Sequence, residues 1–245
     1  MKNSKNFIRN RGRNAKILLL ILAALIVINY PFLDETLTRF LNTDEKVVAE
    51  RIIDGDTFET ETGKANVRLL DVNTPEKGDF YYDEAKSFLE SEILGKNVTL
   101  KFIGERYDKY GRILAYVFLD GKNINNEMVE RGFANYYFYS GKDKYSGELL
   151  DSWNKCMENN IGLCEKSENR CSSCVKISGS SVANSCSVSC DITGWSIRGE
   201  GREKFIFSSQ VLQPKGKTPF VLDLSNTDGS LFLRDDEGKL VEWKK

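Results

Sequence analysis

The chain of 245 residues carries 35 Lys and Arg against 36 Asp and Glu, six Cys and no His. That length holds one large domain or two small ones, and the lack of His excludes a histidine general base, a Ser-His-Asp or Cys-His relay and imidazole-ligated zinc or iron. At 40% hydrophobic and 11% aromatic residues the chain can bury a core, which excludes wholesale disorder. Carboxylates, arginines, hard cations and thiols are the chemistry left open.

Residues 1–16 form a basic head, with Lys2, Lys5, Arg9, Arg11, Arg13 and Lys16 and no acid, which leaves 29 cations against 36 anions in the remainder. The apolar run Ile17–Ile28, extended through Asn29-Tyr30-Pro31-Phe32-Leu33, is near the lower length limit for a membrane span. We read residues 17–33 as a single-pass transmembrane signal anchor with a cytoplasmic N-terminus and the bulk of the chain outside the cell. The alternative is a signal peptide whose cleavage releases the protein; against it, the large residues Tyr30, Phe32 and Leu33 stand where small ones are needed. Residues 34–45 read as a linker.

From Lys46 to Leu119 the pattern is β-rich, with expected strands at 46–53, 57–62, 65–70, 97–103 and 113–119. A helix is expected over 83–94, where Ala85, Phe88, Leu89 and Ile93 share one face and Gly95 ends the run. Further helices are expected over 124–131 and 146–157. Five strands with a helix after the third are the ground plan of an OB-type barrel, so the fold class is mainly β. Beyond residue 166, expected strands at 195–198, 204–208, 220–224, 230–234 and 240–243 suggest a small β-sandwich. The expected division is a barrel domain at 46–165 and a cysteine-containing sandwich at 166–245.

Three clusters carry chemistry. Asp54-Gly55-Asp56-Thr57 alone is an ordinary turn. In Arg68-Leu69-Leu70-Asp71-Val72-Asn73-Thr74-Pro75-Glu76 the last four residues also suit a helix cap, but Arg68 lies in an apolar strand and needs an anionic partner. Asp108-Lys109-Tyr110-Gly111-Arg112 is a hairpin turn by composition. Together, in this order and spacing, they resemble the staphylococcal nuclease-like (thermonuclease) family, with the match running on through Gly111–Val117 and Asn125–Gly132.

The resemblance implies a five-stranded OB barrel with three helices and a Ca²⁺-dependent hydrolase that cleaves DNA and RNA to 3′-phosphate ends. It implies Asp56, Asn73 and Thr74 as oxygen ligands of Ca²⁺, Glu76 as general base, and Arg68 and Arg112 as grips on the scissile phosphate. Lys109 and Tyr110 would be further phosphate contacts and Asp54 a support behind the ligands. An arginine fork pairs phosphate oxygens bidentately, a hard cation takes oxygen ligands, and a carboxylate base replaces the absent histidine. Asn73 stands where the family has Asp, which removes a negative charge from the ion's ligands. Asp71 lies too far back along an extended chain to substitute. The alternative function is an inactive nuclease-like module that binds nucleic acid or protein at the cell surface.

Over residues 44–140 there are 13 cations and 19 anions, so nucleic-acid binding should be modest and salt-sensitive. Tyr136-Tyr137-Phe138-Tyr139 suits either stacking on bases or packing in the core. Cys190–Ile197, Val211–Gly216, Leu224-Ser225-Asn226 and Leu231–Asp235 resemble a shortened lamin-tail (Ig-like) domain, which implies an attachment module for an unknown ligand; the chain is expected to be a monomer. Cys156, Cys164, Cys171, Cys174, Cys186 and Cys190 imply disulfides in an exported chain. The spacing of the last four also allows a zinc site.

Overall fold

The computed structural model describes residues 44–63, 65–201, 203–224 and 229–245, together with residues 19, 20, 23–25 and 27 of the apolar run. Most of the anchor expected at 17–33, the basic head before it and most of the linker therefore lie outside the described residues, as do Ser225 and Asn226. Among the described residues no helix is long and apolar enough to cross a membrane. Residues 44–245 form one compact unit.

Strands β1 (Glu45–Asp54), β2 (Thr57–Thr60), β3 (Asn66–Leu69), β5 (Asn97–Lys101) and β6 (Ile113–Leu119) pair in the order β3-β2-β1-β5-β6, and a parallel β3–β6 pairing closes the barrel. Two short strands, β4 (Val72–Asn73) and β8 (Asn135–Tyr136), pair across its mouth, while β7 (Lys122–Asn123) extends β6. Helix α1 (Tyr82–Ile93) buries Ala85, Leu89 and Ile93, the face expected from the spacing. Helix α2 (Ile124–Glu130) begins at Asn123, whose side chain accepts from the Asn125 and Asn126 amides and so satisfies donors that an N-terminal turn leaves open. Helix α3 (Ser146–Asn159) buries Leu149, Trp153 and Cys156. All five barrel strands and all three helices fall where the sequence placed them, within a few residues.

The C-terminal half holds β9 (Val175–Ser178), β10 (Ser181–Asn184), β11 (Cys190–Asp191), β12 (Ser196–Arg198), β13 (Lys204–Ile206), β14 (Val211–Leu212), β15 (Lys217–Pro219), β16 (Leu231–Arg234) and β17 (Leu240–Lys244). They form small antiparallel sheets, β15-β10-β9, β11-β14 and β13-β12-β16-β17, around a second core that includes Val175, Val182, Trp195, Ile197 and Leu233. The strand expected at 220–224 is a correction. Phe220 is buried and Val221 is 83% exposed, and the alternation of more and less buried side chains continues to Leu224. The ladder, however, stops at Pro219, after one further bond from the Phe220 amide to the Ser180 carbonyl. Alternation reports which face a side chain takes, not whether the backbone has a partner. All six cysteines are paired, Cys156–Cys164, Cys171–Cys190 and Cys174–Cys186, so disulfides rather than zinc ligation occupy the thiols.

The two halves share side chains. Phe232 and Leu240 belong to the same buried cluster as the barrel residues, with Trp243 packed on it. Trp153 meets Phe232 and Trp243 edge-on, with ring centroids 5.3 and 6.0 Å apart, and Tyr136 donates to Ser230 Oγ at 2.7 Å and accepts from Trp243 Nε1 at 3.0 Å.

Candidate active site

The turn Asp54-Gly55-Asp56 between β1 and β2 packs against the β4 end because Gly55 has no side chain; a Cβ there would lie 2.9 Å from Thr74 and Ala85. This close approach brings Asp56 to Thr74. The Asp56 carboxylate, 3% exposed, accepts from the Thr74 amide at 3.1 Å, the Thr74 hydroxyl at 2.9 Å and the Thr57 hydroxyl at 3.0 Å. The pairing of Thr57 with Arg68 across β2–β3 sets Arg68 beside it, and Arg68 Nη1 lies 3.0 Å from Asp56 Oδ2. Here is the anionic partner that Arg68 needs. Its fork is completed by the Leu69 carbonyl at 2.9 Å and Asn73 Oδ1 at 3.4 Å.

Burial opposes ionisation of Asp56, but Arg68 and then the Thr74 and Thr57 donors outweigh it and hold the carboxyl below its ordinary value. Asp54, which accepts from the Asp56 amide at 3.1 Å, is pushed up to about 6 by burial and then by the Asp56 charge. Asp71 is turned away from the ligands: its backbone is left-handed at φ 58°, and its carboxylate accepts from the Tyr116 hydroxyl at 2.9 Å. Burial, aided by the Asp143 and Glu200 charges and opposed by Tyr116, raises it to about 7.

The parallel register Arg68↔Leu114 between β3 and β6 brings the 108–112 turn alongside Arg68. Asp108 caps that turn, accepting from the Tyr110 and Arg112 amides, each at 2.9 Å, and from Arg112 Nε at 2.7 Å. Arg112 is thereby held with Nε and Nη2 on Asp108, which leaves Nη1 for another anion. Arg68, Asn73, Lys109, Tyr110 and Arg112 line one cleft of about 330 Å³. Tyr110 is 70% exposed at its rim. Asp56 and Thr74 are buried behind Arg68, and Asp54 is half-buried behind Asp56. Glu76 is half-buried on the next loop, where its amide donates to Asp79 Oδ2 at 3.2 Å.

The aromatic cluster divides: Tyr136 and Phe138 are core residues, whereas Tyr137 and Tyr139 line the cleft. Sequence reasoning gave Asp108 no role, although its i,i+4 spacing from Arg112 on a turn carried the signal. It missed Asp79 and Gly201 altogether. The Gly201 carbonyl, from the C-terminal half, accepts from Asn73 Nδ2 at 3.2 Å. No local signal links positions so far apart in the chain.

The donors offered by Asp56, Asn73 and the Thr74 carbonyl are all oxygens, and a second carboxylate, Asp54, adjoins the first, its amide contact running to Asp56. Such a set suits a hard divalent ion and offers nothing to a soft one.

Residues 66–166 match the family model described as staphylococcal nuclease homologue. The thermonuclease of Staphylococcus hyicus is 31% identical over 147 residues, covering 54% of this chain and 86% of that protein. The thermonuclease of Staphylococcus intermedius is 30% identical over 130 residues, covering 50% of this chain and 77% of that protein. Endonuclease YncB of Bacillus subtilis is 32% identical over 131 residues, covering 49% and 62%.

Proposed function

Since the chain belongs to the family of staphylococcal nuclease homologues and is a nuclease, we propose that its Arg68–Arg112 cleft hydrolyses phosphodiester bonds of DNA and RNA with the help of a bound Ca²⁺ ion. Asp56, Asn73 and the Thr74 carbonyl would hold the ion, with Asp54 supporting Asp56. When bound, the ion would supply positive charge that offsets the build-up of negative charge at phosphorus.

The chain's own groups do the rest. Arg68 and Arg112 bind the scissile phosphate through the guanidinium N–H groups that their anchoring contacts leave over. Each is anchored by an acid of its own, Asp56 at 3.0 Å and Asp108 at 2.7 Å, so neither needs to reorganise as the charge develops. Lys109 and Tyr110 extend the contact to neighbouring phosphates. Glu76 orients the attacking water and accepts its proton on the carboxylate, the task that no histidine is present to perform. The observation that carries this reading is the convergence of Arg68 and Arg112, from two separate motifs, on a single cleft.

The basic head, the apolar run after it and three disulfides support a protein anchored in the cell membrane that acts outside the cell, as a monomer. We expect purified residues 44–245 to nick plasmid DNA in Ca²⁺ and to stop when EGTA is added, read on an agarose gel. Cleavage at equal rates in the two conditions would refute the role of the ion.

A further inference from the structure

The segment Asn73–Asp79 carries two expected ligands and the expected base, and it is gripped at both ends by one hairpin of the C-terminal sandwich. Arg198 and Lys204 are cross-strand partners in β12–β13. Both hold the Asp79 carboxylate: Arg198 Nη2 lies 2.7 Å from Oδ2, and Lys204 Nζ pairs with Oδ1. Asp79 Oδ2 also accepts from the Glu76 amide at 3.2 Å, and the Asp79 amide returns a 2.8 Å bond to the Glu76 carbonyl. A short chain of contacts therefore runs from Arg198 through Asp79 to the backbone of Glu76. With side-chain exposures of 13% and 15%, the Arg198–Asp79 pair is shielded from the screening that weakens surface pairs.

At the other end, the loop joining β12 to β13 brings the Gly201 carbonyl to Asn73 Nδ2. A Cβ on Gly201 would stand 3.5 Å from the Tyr137 hydroxyl, so the same loop packs against a residue that lines the cleft. Beyond Asp79, the Phe80 ring fills the space above Gly238, where any side chain would collide with it.

We propose that the β12–β13 hairpin is a positioning clamp for the Asn73–Asp79 segment, so that the C-terminal sandwich is part of the nuclease rather than a separable attachment module. The clamp also explains the asparagine. Asn73 has an acceptor side facing Arg68 and a donor side facing Gly201, and an amide offers both where an ionised carboxylate only accepts. A carboxylate there would set an oxygen against the Gly201 carbonyl oxygen. Asn73 is thus the residue that a hairpin closing on this loop requires.

The inference rests on the roles assigned to Asn73 and Glu76, and its test separates the two. Asp79→Asn, in residues 44–245, removes the charge that Arg198 and Lys204 hold. On a single-stranded DNA oligonucleotide kcat should fall about 10-fold to 10²-fold, the scale of a misplaced catalytic group, with KM within about twofold. Amide exchange of the 73–79 peptide should quicken while the thermal melt keeps a single cooperative transition. Arg198→Gln should repeat the effect, and Arg198→Lys, which keeps the charge, should recover most of the rate. Asn73→Asp should quicken exchange of the 199–201 amides. A kcat for Asp79→Asn within about twofold of wild type, with Glu76→Gln inactive, would overturn the clamp alone. Should Glu76→Gln stay active as well, the site assignment falls with it. Lost activity with unchanged exchange would place Asp79 on the substrate and also overturn the clamp.

Discussion

Three contacts converge on Arg68. It touches Asp56, the Leu69 carbonyl and Asn73, so it is both a grip for phosphate and the counter-ion of a buried acid. These roles predict a double penalty for Arg68→Ala. Removing one partner of a buried ion pair costs ~3–5 kcal/mol because the other charge is stranded, and a lost contact to the developing charge costs about 10²–10³-fold in rate. Urea unfolding and single-turnover cleavage measure the two losses independently. Unchanged stability would mean that Asp56 is not held by Arg68 in solution. At this scale the sequence was readable: an arginine in an apolar strand demands an acid, and Asp56 is the acid found. Asn73 was legible only as a missing charge. The reason for the amide lies 128 residues away in the chain, at Gly201.

Among the elements, the barrel strands and helices declare themselves through local periodicity. The loop after Pro75 does not, because what fixes it is a hairpin from the other half of the chain. Its Asp79 shows how the seam should respond to acid. Burial raises the cost of ionising this carboxyl, but Lys204 and Arg198 outweigh that cost and hold it below the ordinary value. Above the unfolded value of ~3.9 the acid is ionised in both states and the pairing contributes fully. As pH falls through the depressed folded value, the unfolded chain has already taken up the proton and the contribution is lost. Stability to urea should therefore drop below about pH 4, and Asp79→Asn should remove part of that drop. An identical acid limb in the variant would contradict the pairing. The 220–224 segment shows the opposite limit of local reading, since its alternation is correct and its ladder is absent.

For the whole molecule, the barrel core is not closed by barrel residues alone. Phe232 and Trp243 cover Trp153 and Tyr136, and truncation of one such buried aromatic costs ~3–5 kcal/mol. A chain ending at residue 165 should lose several of these contacts together. We expect it to melt far below residues 44–245, or to fail to fold, by circular dichroism, although residues 66–166 cover the whole family match. Equal melting midpoints would show that the halves are independent. The compositional break after residue 165 marks where the cysteines and short strands concentrate, but the aromatic contacts that cross it arise only in three dimensions.

If this chain hydrolyses phosphodiesters with a carboxylate base, the Glu76 side chain must carry most of the rate. Single-turnover cleavage of an end-labelled DNA oligonucleotide by wild type and Glu76→Gln should differ by about 10²–10³-fold, with substrate affinity unchanged. Equal rates from the two proteins would contradict it.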